Sequence, residues 1–275
     1  MAYRTILVGL DDSDRMPERA AFALALAERH QARLIGILVN PLPFMPTALG
    51  ESAAYAGPEI LEAQEEAAEA RPARVQAAFQ QATATGTIER QFVAAEGGAG
   101  ETIAEYARTV DLTIVGQSHG DGLEVIAMET AEQVVVGAGG PVLVLPHGMQ
   151  VQQDFARSWL LAWDGGREAS RALGFALPFL QEADRVVMVA AGSEYHASAD
   201  AAALRLAGHG VRVELEKLDE PEGHVGDLLL AIADTKQCGA IAMGAYGHSR
   251  FRELITGGTT LKIVRDARLP VLFSA

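Results

Sequence analysis

The chain has 275 residues, a length that suits one large domain or two of ordinary size, and its 49% hydrophobic content is enough for a sizeable core. The formal net charge of −14 argues against nucleic acid as a general partner. The single cysteine, Cys238, rules out an intrachain disulfide framework and a cysteine metal cluster, and fits a reducing cytoplasm.

The charge is uneven. Residues 1–147 carry 9 basic and 20 acidic side chains, and residues 148–275 carry 13 and 16, so an anion meets less repulsion in the second half. The N-terminus runs almost at once into Thr5 to Leu10 and lacks a signal peptide's charged and long apolar regions. No apolar run approaches the roughly 20 residues that a membrane span needs. A cytoplasmic location without a membrane partner is the expectation.

In chain order, the elements come twice. Arg4 to Asp11 and Ser158 to Asp164 are short apolar runs ending in Asp, the pattern of buried parallel strands. Alanine-rich helical segments follow at Pro17 to His30 and Glu168 to Gln181. Second strands are expected at Arg33 to Val39 and Arg185 to Ala190, and later ones at Glu89 to Ala94 and Val211 to Leu215. Helices are expected over Ala99 to Thr109 and Gly226 to Lys236, then strands over Leu112 to Gly116 and Ala240 to Gly244. Both copies close on Pro-Val-Leu, at Pro141 to Leu145 and Pro270 to Phe273, the second after a helical segment at Leu261 to Ala267. Gly116 to Pro141 is 25 residues and Gly244 to Pro270 is 26, which supports an internal duplication. Alternating strands and helices predict the α/β class, with parallel strands and helices on both faces.

The polar stretch Pro146 to Arg157 is the expected join, giving units at 1–147 and 157–275. Asn40 to Pro58 reads as a long loop or lid, whereas its counterpart, Gly192 to Ala199, is short. Pro72 is expected to end or kink the acidic helical segment around Glu62 to Ala84. The run Glu62 to Glu69 reads as a solvated helix face.

The candidate site lies in the second copy. Met243-Gly244-Ala245-Tyr246-Gly247-His248-Ser249-Arg250 follows an apolar strand, and Gly257-Gly258-Thr259-Thr260 leads into the last helix. Glycines between a strand and a helix let backbone amides approach a phosphate at the helix N-terminus. The hydroxyls of Thr259 and Thr260 and the charge of Arg250 are candidate donors to it. Asp164, ending the first strand of this copy, is placed to accept from a base amino group or a ribose hydroxyl. In an open parallel sheet these positions share the crevice beyond the strands' carboxyl ends. The competing reading is that the glycines only make tight strand–helix turns.

Nearly the whole chain resembles the universal stress protein family in its tandem two-domain form. The glycines of the family's nucleotide motif, Gly-x2-Gly-x9-Gly followed by Ser or Thr, are matched by Gly244, Gly247 and Gly257; Gly258 stands where the hydroxyl residue is expected. The resemblance implies two tandem Rossmann-like domains of the adenine nucleotide alpha hydrolase-like type, each an open five-stranded parallel sheet. It implies ATP or another adenine nucleotide as ligand, usually with Mg2+, a stress-response role, and at most weak ATP hydrolysis. It places Asp164 and Val189 at the adenine side. It also implies that the last strands, Val142 to Leu145 and Val271 to Phe273, meet as an intrachain pseudo-dimer, with a further homodimer open. The first copy departs from the motif: His119 stands in register with the second glycine, and Asp11, Asp12 and Asp14 add negative charge, so poor nucleotide binding is expected there.

Two rival readings remain. One is a nucleotide-free scaffold that signals through dimerisation. The other is an α/β serine hydrolase, because Gly116-Gln117-Ser118-His119-Gly120 fits the Gly-x-Ser-x-Gly elbow, with His147, His196, His209 and His224 available as bases. Neither a Walker loop nor a zinc motif is present, no metal ligand is assigned, and Cys238 reads as a packing residue.

Overall fold

The computed structural model describes residues 3–41, 58–117, 130–147, 155–219, 223–247 and 258–275, without the side chains of 58–65 and 67. The first half runs β1 (Thr5–Leu10), α1 (Met16–His30), β2 (Arg33–Asn40), α2 (Pro58–Ala82), β3 (Arg90–Glu96), α3 (Ala99–Ala107), β4 (Leu112–Gly116), α4 (Thr130–Gly137) and β5 (Val142–Leu145). The second repeats the order: β6 (Ser158–Trp163), α5 (Arg167–Leu180), β7 (Arg185–Ala191), α6 (His196–Gly208), β8 (Val213–Leu218), α7 (Val225–Thr235), β9 (Ala240–Gly244), α8 (Thr259–Asp266) and β10 (Val271–Ser274).

The strands form one ten-stranded sheet in the order β3-β2-β1-β4-β5-β10-β9-β6-β7-β8. Every neighbouring pair is parallel except β5 with β10, which run antiparallel with Val142 opposite Phe273, Leu143 opposite Leu272 and Val144 opposite Val271. The last strands of the two copies thus meet inside one chain. Each half keeps its own five parallel strands.

Period-2 alternation divides the core between the two faces. Ile6, Val8 and Leu10, Trp159 and Leu161, and Val186 and Met188 belong to the layer under α1, α2, α5 and α6. Leu7, Leu160, Val187 and Val189 belong to the layer under α3, α4, α7 and α8. Both faces are covered, which is why the strands read as continuous apolar runs.

The halves are joined on both sides of the sheet. On one, the Tyr3 hydroxyl donates to the Phe175 carbonyl at 2.6 Å, His30 packs edge-on against Phe179 at 5.9 Å, and Phe22 meets Phe155 at 4.9 Å. On the other, the Gln117 carboxamide donates to the carbonyls of Val264 (2.9 Å) and Ala267 (3.2 Å), at the C-terminal end of α8. Arg265 of α8 lies 3.6 Å from Glu132 of α4, a fully buried carboxylate.

Two expectations need correction. Of the two outcomes expected at Pro72, an end or a kink, the end does not occur: helix α2 runs on through it. A proline ring removes one backbone hydrogen bond, while Val75 and Phe79 of the same helix are buried and Arg71 is tied to β2, so tertiary contacts hold the helix on both sides. The short stretch after β7 does not stay a loop: a single 3-10 turn, Ser193–Tyr195, leads into α6 at His196. The acidic helix face is solvated where it is described, at Glu66 and Glu69. Most of the loop following Asn40 lies outside the described residues.

Candidate functional site

In the second half the chain passes from β6 to β7 and β8 on one side, then crosses to β9 on the other. The order reverses between β6 and β9, and their carboxyl ends splay around a crevice. A cavity of about 420 Å3 occupies it, within the range of small-molecule sites. Seven of the residues singled out from the sequence line it: Asp164, Val189, Met243, Gly244, Gly247, Thr259 and Thr260. They come from β6, β7, β9 and α8, elements separated by up to about a hundred residues of chain and brought together only by the sheet.

One wall is apolar. Val189 and Met243, buried on neighbouring sides of β6, combine with Ala162, Val225 and Leu229 to form a surface suited to a flat ring. Trp163 lies beside it, its indole N–H donating to Ser198 Oγ at 3.0 Å. At the end of β6, Asp164 Oδ1 accepts the Gly166 N–H at 2.8 Å, closing a tight turn into α5.

The opposite end is built from backbone. After β9 the chain turns sharply through Tyr246, whose φ of +57° is uncommon for a residue with a side chain. Its N–H donates to Thr260 Oγ1 at 3.3 Å, tying the turn to the first turn of α8. Thr260 is buried, and its hydroxyl still has a proton to donate. Gly258 caps α8 without a side-chain hydrogen bond, and the positive end of the helix lies at the cavity, where Thr259 and Thr260 line it.

The glycines have a packing reason as well. A Cβ on Gly244 would lie 2.6 Å from the Ala169 nitrogen, so α5 can start this close to β9 only over glycine. A Cβ on Gly247 would lie 2.9 Å from Glu168 Oε2. Gly244 thus has a packing role, the close approach of α5, alongside its place in the cavity wall. Gly258 stands at the helix cap rather than among the lining residues. His248, Ser249, Arg250 and Gly257 lie outside the described residues.

Sequence reasoning missed part of the lining, notably Gly192, Glu194, Tyr195, Asp219, Leu229 and Tyr246. Glu194 and Tyr195 belong to the turn before α6. Burial raises the Tyr195 phenol's pKa, and the nearby carboxylates of Glu194 and Asp164 raise it further, so it remains a donor at neutral pH. The apolar period of α7 was the available signal for Val225 and Leu229.

In the first half, described side chains reach into the equivalent crevice. Arg19, buried on α1, donates from Nε to the Gly9 carbonyl (2.9 Å) and from a terminal nitrogen to Asp11 Oδ2 (2.6 Å), and a Cβ on Gly116 would run into its guanidinium. Arg71 donates to the Val39 carbonyl (3.0 Å) and Asn40 Oδ1 (2.8 Å), the counterparts of Ala191 and Gly192 when counted from Arg33 and Arg185. It also pairs with Asp12, as does Arg74 at 2.9 Å. Burial pushes the Asp11 and Asp12 carboxyls up, but the arginines, with Ser13 at Asp11, outweigh it and hold both below the ordinary value. Asp11 and Asp12 are thus compensated charges. Among the described residues, Arg19 and Arg71 distinguish this half more than uncompensated negative charge does.

The elbow serine Ser118 and its neighbour His119 lie outside the described residues. The adjacent Gln117 is spent on α8 and on the His147 N–H, which donates to its Oε1 at 3.0 Å. His224 caps α7 by accepting the Gly226 N–H at 3.2 Å, and His196 sits 3.7 Å from Asp219. Cys238 is buried, and burial pushes its thiol up, consistent with packing. No described helix is long and apolar enough to cross a membrane.

The sequence pattern of the universal stress protein family matches this chain twice, over residues 2–146 and 157–274. The chain belongs to that family. A universal stress protein of Synechocystis is 27% identical over 149 residues, 51% of this chain and 49% of the relative, so the match spans about half of that protein's length. Among solved structures, a universal stress protein from Archaeoglobus fulgidus superposes over 98% of this chain and 97% of its own with a TM-score of 0.73 at 17% identity. A Pseudomonas aeruginosa protein of unknown function gives 0.58 over 99% and 92% at 16% identity. At these identities the structures speak for the shared fold.

Proposed function

We propose that this tandem universal stress protein, with units at 1–147 and 157–275, binds one adenine nucleotide per chain, in the second half, and acts in a cytoplasmic stress response without a catalytic residue of its own. The observation that carries the reading is the convergence of Asp164, Val189, Gly244, Gly247 and the α8 N-terminus on one cavity. The apolar wall takes the base, the carboxylate at β6 takes a base amino group or ribose hydroxyl, and the amides and Thr hydroxyls at α8 take a phosphate. Among the described residues no group of three or more His, Cys, Asp or Glu side chains is placed to hold a metal ion.

Calorimetry of the whole chain with adenine nucleotides tests this: the expected stoichiometry is one. A stoichiometry of two contradicts one site per chain. The scaffold reading is favoured by the β5–β10 pairing, which builds a dimer-like sheet inside one chain. It prevails if denatured protein releases no adenine nucleotide and none raises the melting temperature.

A further inference from the structure

Helix α8 has eight residues. An isolated helix needs roughly 12–15 to be even marginally stable in water, so the place of α8 is set by what it packs against. Its first turn brings Thr259 and Thr260 to the cavity. Its other end, about 12 Å away at about 1.5 Å of rise per residue, meets the first half. There the Gln117 carboxamide donates to the carbonyls of Val264 at 2.9 Å and Ala267 at 3.2 Å. Gln117 is itself held on two sides. Its backbone N–H donates to the Leu145 carbonyl at 2.8 Å, and its Oε1 accepts the His147 N–H at 3.0 Å, which turns the amide NH2 toward α8. Beside it, Arg265 of α8 lies 3.6 Å from the fully buried Glu132 of α4. On its other flank α8 is held within its own half, by Lys262 with Asp227 of α7 at 3.1 Å.

We propose that Gln117 and the Glu132–Arg265 pair are positioning residues for the ligand site, an assignment that rests on the adenine-site reading above. None of the described residues lining the cavity comes from the first half, yet that half fixes how α8 presents its N-terminus and threonine hydroxyls to a phosphate. Without these contacts the last turn of α8 is freed, and a phosphate-bearing ligand must order the helix at the expense of its affinity. The apolar wall is less affected, because Val225 and Leu229 belong to α7 and Val189 to β7. By linkage, a ligand that needs α8 in place must in turn tighten the hold of Gln117.

The test is calorimetry on the whole chain with adenosine, AMP and ATP with Mg2+, in wild type, Q117A and E132Q/R265M. The double variant removes the ion pair without stranding a buried charge. Each variant should lower affinity for AMP and ATP about threefold and for adenosine by less than half as much, within the range for residues that act through a shared element. The control is Y3F, which deletes a hydrogen bond between the halves on the opposite side of the sheet, to Phe175 of α5. It should lower the melting temperature and leave all three affinities unchanged. In wild type, saturating AMP should slow exchange of the Gln117 side-chain amide protons with water, read by nuclear magnetic resonance. Unchanged AMP and ATP affinities in both variants, an equal loss for adenosine and AMP, an equal loss in Y3F, or unaltered Gln117 exchange overturns this inference and leaves the adenine site standing. Absence of binding of all three ligands by folded wild-type protein overturns both.

Discussion

Replacing Arg19 by Met tests what the buried guanidinium contributes to the first half. The guanidinium is 7% exposed and makes two good hydrogen bonds, to the Gly9 carbonyl at 2.9 Å and to Asp11 at 2.6 Å. Methionine keeps most of the stem's packing and removes both bonds. Stranding a fully buried partner charge would cost about 3–5 kcal/mol. Asp11 is 48% exposed at its side chain, so water rehydrates the abandoned carboxylate and that figure does not apply. What is lost is one charge-assisted bond and one bond to a carbonyl, about 2 kcal/mol together. For a chain of this size that lowers the melting temperature by about 4–8 °C. Urea unfolding measures the free energy directly, and in a D11N background the same change should cost about 1 kcal/mol less, because the pair is coupled. The pH dependence has a definite sign. Asp11 has a depressed folded pKa, so the pair's stabilisation is present above the ordinary carboxylate value near 4 and lost as pH falls through the folded one. The gap between wild type and R19M should therefore narrow in strong acid to the share carried by the Gly9 bond. A loss below about 0.5 kcal/mol, or a gap independent of pH, refutes the reasoning.

Three further outcomes follow from single contacts. In T260V the Tyr246 N–H loses its acceptor and the α8 N-terminus a hydroxyl; calorimetry should show adenine-ligand affinity down about tenfold with the fold intact, and unchanged affinity would remove Thr260 from the site. Q117A deletes the donor that caps the C-terminal carbonyls of α8 from the first half, so urea unfolding should show a loss of about 1–2 kcal/mol; a neutral result would mean water replaces the carboxamide. His30 is buried between Tyr3 and Phe179, its Nε2 has no hydrogen-bond partner, and burial, partly offset by Glu182 and reinforced by Arg29, lowers its pKa. With the folded value depressed, the unfolded chain takes up the proton first, so stability should decline as pH falls below about 6.5 until the folded value is passed. H30L should flatten that slope between pH 7.5 and 5.5, and an equal slope in both proteins would place the titration elsewhere.

The strands were legible because buried parallel strands are written as apolar runs between polar boundaries: β4 and β9 begin and end at the residues that the sequence indicates, each closing on glycine. Strand β8 starts two residues later than its pattern suggests and runs on to Leu218, because at the edge of the sheet Glu214, Glu216 and Lys217 interrupt the apolar signal. Helix α4, eight residues with Val134, Val135 and Val136 in succession, reads locally as strand and is made helical by packing against α3 and α8. The cavity lining was legible where local chain geometry makes it, at Asp164, at Gly244 and Gly247 and at the two threonines. It was not legible where the sheet makes it. Tyr195 and Asp219 meet the cavity from the ends of separate elements, and Arg71 reaches Asp12 across 59 residues of chain.

The two halves differ in which described side chains stand at their equivalent crevices. Ala20, Ala23, Leu24 and Ala27 on α1 match Ala169, Ala172, Leu173 and Ala176 on α5, all buried, and the residue before each set is Arg19 in one half and Glu168 in the other. Both side chains face the glycine-ended strand beside them, at Gly116 and at Gly247 just past Gly244. The arginine is long enough to reach back to Gly9 and Asp11 at the end of β1, across the mouth where the second half keeps its cavity. The glutamate is shorter, is held by Arg167 and Arg171, and stops beneath the turn. Charge at this position alone would not convert one half into the other, because Arg71 separately occupies the end of β2, where Ala191 and Gly192 leave room at the end of β7. The first half therefore places two separate arginines at the ends of β1 and β2. From the first half, Gln117 and Glu132 also hold the C-terminal part of α8, the helix whose other end lines the cavity.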